Sequence, residues 1–324
     1  MGRADTSLGS YLKDPKRFAD VFNHGVFQGE ITVLPEKLKE IDSVSKQSRG
    51  GNRVRDLVKQ YMYKDMELII LAIENQYNVQ YFMPLKNMLY DSDFYNDQRK
   101  AISKKHKEKK DVQGDEFLSG FSKKDKLRPI ITLVIYYGDR DWDGPRELYD
   151  MLELPDCLTR FKNLIQNYKI NLLEVTKIEN LDDYSDDIKV LFGFIKYQKN
   201  ASQLKRFINE NKEIFSCVSR ETCSTIESVT KTKELQKYIE KDENEEVNMC
   251  QAITDMIKDS EARGEKRGEA RGEKRGEARG KTIGETRLSI LMNRLFEDER
   301  INDVKKAIND PKFRKNMYQE YGIK

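Results

Sequence analysis

The stretch that decides the fold is ELIILAIENQYN, residues 67–78. Leu68 to Ile73 is unbroken apolar sequence, and Glu74, Asn75 and Gln76 follow with no turn residue between. A short run without a polar face and rich in isoleucine reads as a strand covered on both sides. Such a strand ends on Glu74 and Gln76, which share one face because side chains alternate. An unpaired carboxylate at the edge of apolar sequence is costly, so Glu74 calls for a partner.

The preceding run, RVRDLVKQYM (53–62), alternates as a strand with Val54, Asp56 and Val58 on one face and Leu57 on the other. A hairpin whose turn centres on Asp65 pairs residues whose numbers sum to 130, which sets Asp56 opposite Glu74. Like charges directly opposite each other in a sheet are destabilising unless a cation sits between them. Two carboxylates, the Asn75 carbonyl and water form an all-oxygen donor set suited to Mg²⁺, or to Mn²⁺ in its place. Gln76 lies within reach of a metal-bound water. A slip of one residue would move Asp56 to the other face.

Around this hairpin the sequence predicts an α/β domain. RFADVFNHGVF (17–27) repeats Phe18, Val21, Phe22 and Val26 at helical spacing. LKEIDSVS (38–45) reads as a short strand, and a helix is expected from Tyr81 to about Lys110, with Tyr81, Leu85, Met88, Leu89, Tyr95 and Ile102 as its apolar stripe and Pro84 in its first turn. PIITLVIYYG (129–138) and NLLEV (171–175) are further strands. The expected division is a compact α/β domain over 1–180, a helical extension over 181–260, a repeat over 261–280 and a small helical segment over 281–324. The repeat, EARGEKRGEARGEKRGEARG, places a glycine in every four residues at about 1 kcal/mol each relative to alanine, and reads as a partly frayed spacer. The segment after it is a candidate for self-association into a homo-oligomer.

Composition excludes several classes. Two histidines, His24 and His106, leave no histidine-based triad or zinc cluster, and four cysteines without ligand spacing fit free thiols in a reducing cytoplasm. No apolar run is long enough for a membrane span or a secretion signal, so a soluble intracellular protein is expected. Charged residues make up 35% of the chain, yet the net charge is only +3, so attraction to nucleic acid must be local. The candidates for phosphate contact are KQSRGGNRVR (46–55) and RKAISKKHKEKK (99–110). Trp142 reads as a structural anchor for its loop rather than a base-stacking platform, Tyr136 and Tyr137 as core or rim residues at the end of a buried strand, and His106 as a solvent-facing residue.

The pattern R-D-x(17)-E-N-Q, followed by a helix and a strand ending in YYG, resembles the PD-(D/E)XK nuclease superfamily. The nearest branch is the Rpn-like recombination-promoting nucleases, or PD-(D/E)XK family transposases. The likeness is carried by RFADVFN, QGEITVLPEKL, RDLVKQ, IENQ, MPLKNMLYD, GDEFLSGF, PIITLVIYYG and WDGPREL, and by the charged glycine repeat. It implies a restriction-endonuclease-like mixed sheet flanked by helices, followed by an all-α C-terminal region. It also implies Mg²⁺-dependent cleavage of DNA in recombination or a mobile element. By this resemblance Asp56 and Glu74 are the metal acids and Gln76 holds the motif's third position, where lysine is commonest. An acid from the first helix often completes such sites, with Asp20 and Glu30 as candidates. The alternative is a catalytically weak DNA-binding or assembly protein on the same fold.

Overall fold

The computed structural model describes residues 3–30, 32–41, 44–46, 52–63, 66–232, 235–239 and 246–323. Two compact units result, Met1–Thr254 and Asp255–Lys324.

The first unit begins with α1 (Arg3–Tyr11) and α2 (Pro15–Gly25). Asp14 caps α2 by accepting from the Lys16 and Arg17 N–H groups, and Pro15 occupies the first turn, where a missing N–H costs nothing. Phe18, Val21 and Phe22 are the buried face, as their spacing predicts. Next come β1 (Leu38–Glu40), β2 (Val44–Lys46), β3 (Asn52–Val54), β4 (Leu57–Tyr63) and β5 (Met66–Gln76). The chain continues through α3 (Met83–Lys109), α4 (Gly114–Ser119), β6 (Ile130–Tyr136), α5 (Asp156–Thr159) and β7 (Asn171–Glu174).

The central sheet is mixed, in the order β1-β4-β5-β6-β7. β1, β4 and β5 are antiparallel neighbours, whereas β5, β6 and β7 run parallel. The parallel step from β5 to β6 needs a crossover, and α3 supplies it. One face of the sheet meets α3: Ile70 and Ala72 pack with Val58 and Phe94, and Val134 and Tyr136 with Met83 and Trp142. The other face meets α1 and α2: a Cβ on Gly25 would lie 3.2 Å from Leu173 and 3.3 Å from Leu133, and one on Gly9 would lie 3.5 Å from the Asn75 amide. Covered on both faces, β5 is as buried as its sequence requires. Tyr136 and Tyr137 fall in the core rather than at its rim, and Trp142 packs there against Tyr136.

The register of β4 on β5 follows the sum of 130 from Leu57↔Ile73 to Tyr61↔Ile69. Beyond Tyr61 it shifts to Met62↔Glu67 and Tyr63↔Met66, so one extra residue of β5, Leu68, forms a bulge. The turn at Lys64–Asp65 lies outside the described residues.

Three local expectations are corrected. RVRDLVKQYM is not one strand: β3 pairs with β2 in a separate two-stranded sheet, and the chain bends at Arg55–Asp56 before β4 enters the central sheet. LKEIDSVS likewise splits into β1 and β2. Helix α3 lies where predicted, but its stripe is displaced. Tyr81 and Leu89 are exposed, and the buried positions are Met83, Pro84, Asn87 and Asp91. The face that α3 turns to the sheet is half polar, because polar groups on the sheet meet it there.

The rest of the first unit is helical: α6 (Asp186–Tyr197), α7 (Ala201–Glu210), α8 (Lys212–Ser216), α9 (Arg220–Thr230) and α10 (Gln236–Ile239), with β8 (Val218–Ser219) paired to β9 (Glu246–Val247). Tyr11 joins α1 to α9 through a 2.9 Å hydrogen bond with Thr222, and Arg17 reaches Asp187 and Glu221. Residues 261–280 are continuous helix inside α11 (Met249–Glu297), unlike the frayed spacer expected. Three of every four residues in the repeat are good helix formers and no proline interrupts it, which offsets the glycine penalty. In the second unit, Leu291 and Leu295 of α11 form a small core with Val304 and Ala307 of α12 (Ile301–Asn309) and Met317 of α13 (Pro311–Glu320). Among the described residues no helix is long and apolar enough to cross a membrane.

Candidate functional site

The bend at Arg55–Asp56 and the C-terminal end of β5 come together because the register carries them there. Asp56 is the residue after which β4 begins, one step beyond the Leu57↔Ile73 pair. Its carboxylate accepts the Asn75 N–H at 2.7 Å, taking the place of the strand partner that β4 no longer provides. Glu74 sits on the α3 face of β5 and is only 1% exposed. Its Oε2 receives the Lys86 ammonium at 2.9 Å, and its Oε1 is buried with no hydrogen-bond partner. Gln76, half-buried, ends the strand on the same face and accepts the Tyr137 N–H through its backbone carbonyl. Asn75 is 2% exposed, points to the opposite face beside Gly9, and leaves both amide atoms unpartnered.

The electrostatics follow from burial. Loss of water pushes Asp56 up from 3.8 to about 7, and the Glu74 charge adds to this, while the Asn75 N–H and Lys86 oppose it. Burial likewise raises Glu74 above the usual carboxylate range, against the pull of Lys86. For Lys86, burial works against the ammonium, but the charge and hydrogen bond of Glu74 outweigh it and the pKa lies above normal. Lys86 therefore stays protonated and acts as a fixed cation. Tyr90, one turn further along α3, lies 5.5 Å from that ammonium, with Lys86 over its ring.

Lys86 escaped sequence reasoning because the stripe chosen for α3 turned it to solvent. The signal was its place in the helix's first turn, directly over the strand end that carries Glu74.

A buried network holds this arrangement from behind. Arg55, 2% exposed, donates to Thr132 of β6 at 2.6 Å and pairs with Asp91 of α3. Asp91 also accepts from Thr132 at 2.9 Å and from the Tyr168 hydroxyl. The residue before Asp56 and the helix that carries Lys86 are thus tied to one another through the sheet.

Neither candidate for the third acid joins the pair. Asp20 accepts from Ser185, through N at 3.0 Å and Oγ at 2.6 Å, and faces His24 at 3.4 Å. Glu30 is exposed in the turn after α2. The N-terminal acid that acts on Asp56 is Asp5 of α1, whose charge helps to raise it and whose carboxylate accepts from Tyr137. The sequence gives little sign of Asp5, because RADTSLGSY carries little apolar patterning by which to recognise a helix.

The donor chemistry can be tested against a hard divalent cation. Among the described residues no group of three or more His, Cys, Asp or Glu side chains is close enough to hold a metal. Two acids are available, Asp56 and Glu74, with a buried Glu74 oxygen that has no hydrogen-bond partner, and the Asn75 backbone carbonyl follows Glu74 in the chain. All are oxygen donors, and an ion that retains several waters needs few protein ligands, so the set fits Mg²⁺ or Mn²⁺. Of the two basic runs, KQSRGGNRVR lies largely outside the described residues, and RKAISKKHKEKK forms the exposed C-terminal half of α3.

Comparison with curated proteins and with solved structures gives no match. One family matches, that described as "Putative transposase, YhgA-like", over residues 68–226. The match includes Glu74, Gln76 and Lys86 and begins after Asp56. Over that span, just under half of its length, the chain is similar to this family.

Proposed function

We propose that the protein is a metal-dependent DNA endonuclease of a mobile element, hydrolysing phosphodiester bonds at the Asp56–Glu74 pair. The observation that supports this reading is the meeting of the Asp56 bend with the end of β5: the half-buried Asp56 takes the Asn75 N–H at 2.7 Å, next to the buried Glu74 that receives the Lys86 ammonium at 2.9 Å. Asp56, Glu74 and the Asn75 carbonyl would hold Mg²⁺ or Mn²⁺. When bound, the cation polarises the scissile phosphate and lowers the pKa of an attacking water.

The chain's own residues supply the rest. The Gln76 amide donates and accepts, so it orients a water, but it brings no charge. Lys86 would bring the charge, as an ammonium that its pair with Glu74 keeps protonated and that could face the negative charge developing on a phosphate. Asp5 and Tyr137 border Asp56 from the α1 side of the sheet and keep that flank polar. Four free cysteines, two of them exposed, are consistent with work in the reducing cytoplasm.

One observation favours a second reading, a DNA-binding or assembly protein with little turnover: Lys86 already neutralises Glu74 without any metal. Nicking of supercoiled DNA by the purified protein separates the two. Cleavage that needs Mg²⁺, stops with chelator and is lost in Glu74→Ala supports the nuclease. DNA binding without cleavage at any metal concentration supports the second.

A further inference from the structure

Helix α3 does more than carry Lys86. Its C-terminal half is matched by the segment that leaves it, which runs back alongside. A Cβ on Gly120 would lie 2.3 Å from Ser103 Oγ, so the return begins in tight contact with the helix. His106 then bridges the two, with Nδ1 on Asp111 at 2.6 Å and Nε2 on Asp125 at 2.7 Å. Asp125 also accepts the Ser122 N–H at 2.6 Å. Further back, Gln98 and Arg128 exchange two hydrogen bonds, at 3.2 and 2.7 Å, and the Tyr95 hydroxyl accepts the Ile130 N–H. His106 is therefore a clasp, contrary to the solvent-facing role its place in a lysine run suggested.

The clasp sets two basic runs side by side. Between residues 99 and 128 eleven lysines and arginines stand against five acids, a local excess larger than that of the whole chain. Lys105, Lys107, Lys109 and Lys110 on the helix, and Lys123, Lys124 and Lys126 on the return, are all exposed. Two of the five acids, Asp111 and Asp125, are engaged by His106, and a third, Glu108, faces Lys104 at 3.8 Å. The surface is thus cationic, with three of its five acids already engaged within it.

We propose that this two-stranded lysine surface, the distal half of α3 together with residues 122–128, binds the phosphate backbone of double-stranded DNA on one side of the cleavage site. The proposal rests on the reading that the chain acts on DNA. The lysines of α3 from Lys100 to Lys110 cover about 15 Å at 1.5 Å per residue, the length of four or five phosphates of one strand. Lys105 stands nineteen residues beyond Lys86 on the same helix. That is about 28 Å, or roughly eight base pairs of duplex from the Glu74 site. Lysine ammonium groups on phosphates fix affinity and orientation rather than sequence.

The test is equilibrium binding by fluorescence anisotropy with the full chain in chelator, so that cleavage plays no part. The probes are labelled duplexes of about 24 and about 8 base pairs, titrated between about 50 and 200 mM salt. A variant carrying Lys105→Gln, Lys107→Gln, Lys123→Gln, Lys124→Gln and Lys126→Gln is compared with its lysine-to-arginine counterpart. The glutamine variant is expected to bind the long duplex at least tenfold more weakly. Its log–log salt slope should be shallower by about 4, since each phosphate left without its lysine removes about 0.9, while the arginine variant keeps wild-type behaviour. The short duplex should bind more weakly than the long one to the wild type. An unchanged slope in the glutamine variant overturns the proposal. So does failure of the wild type to bind duplex, or tighter lysine-dependent binding to phosphatidylserine vesicles than to DNA. Because nicking is not read, a protein that binds through these lysines yet never cleaves leaves the surface standing and removes only the nuclease reading.

Discussion

Breaking the Arg55–Asp91 pair should cost more than any other single change near the site. Arg55 is 2% exposed and Asp91 7%, so neither charge has water to fall back on. Arg55→Met removes the cation and leaves the Asp91 carboxylate with two hydroxyls, those of Thr132 and Tyr168. Removing one member of a buried ion pair costs about 3–5 kcal/mol, because the other charge is left uncompensated. Asp91→Leu, the reverse change, strands the guanidinium against the Tyr90 and Phe94 rings, 5.4 and 5.2 Å away, and should cost about the same. The double variant buries neither charge, and its loss should fall to about 1–2 kcal/mol, since replacing both partners by apolar groups is often near neutral. Urea unfolding of all four proteins closes the cycle, with a coupling energy of at least about 3 kcal/mol expected for groups in direct contact. A coupling below about 1 kcal/mol would refute the reasoning and place the stability of the α3 packing in Phe94 and Met83 instead.

Four further outcomes are expected. Lys86→Met should lower Mg²⁺-dependent nicking at least about a hundredfold, the scale for losing one preorganised charge at a reacting centre, with binding in chelator nearly unchanged. Asp56→Asn should alter the pH profile of stability in metal-free protein. The folded pKa of about 7 lies above the unfolded value of 3.8, so wild type loses stability relative to the asparagine variant as pH rises from about 4 to about 7; parallel melting curves across that range would contradict this. His106 is raised by its hydrogen bonds to Asp111 and Asp125, so the clasp holds at low pH and opens as pH rises through that raised value. Limited proteolysis between residues 111 and 128 should then quicken on the alkaline side, and pH-independent cleavage would count against it. Removing one four-residue unit of the 261–280 repeat should leave nicking rates unchanged, whereas deleting 281–324 should change the oligomeric state read by light scattering.

How far the sequence discloses this molecule depends on which residues are asked. β5 was legible because six consecutive apolar residues permit only a doubly covered strand, and its register on β4 followed from hairpin arithmetic. The bulge at Leu68 was not, because a fully apolar run gives no sign of which residue is skipped. The break at Arg55–Asp56 was hidden for a different reason. RVRDLVKQYM alternates smoothly across the bend, and only the tertiary pull of Asp91 and Thr132 on Arg55 draws the chain out of line. Helix α3 shows the limit most clearly. Its existence was plain, yet its buried face carries Asn87, Asp91 and Lys86, and no apolar periodicity can point to a face that packs by ion pairs.

That hidden face bears on the departure at Gln76. A strand position two residues after Glu74 is where a lysine would sit if the cation had to come from the strand itself. Glutamine there removes the charge from β5, and a buried Glu74 is then left without a counter-ion in a site with little water. The chain meets that need from the next element. The first turn of α3 lies over the end of β5, and a lysine at its fourth residue delivers an ammonium to Glu74 from above, at 2.9 Å. A helix-borne lysine differs from a strand-borne one in one respect that matters: its position depends on the helix. Arg55, Asp91 and Thr132 fix that helix against the sheet one turn further along, so the charge at the site and the buried pair behind it stand or fall together. If so, Arg55→Met should lose nicking activity beyond what its loss of stability explains, and the Arg55→Met/Asp91→Leu double variant should recover stability without recovering the rate. Equal recovery of both would mean that the network only supports the fold and leaves the placement of Lys86 to its own ion pair with Glu74.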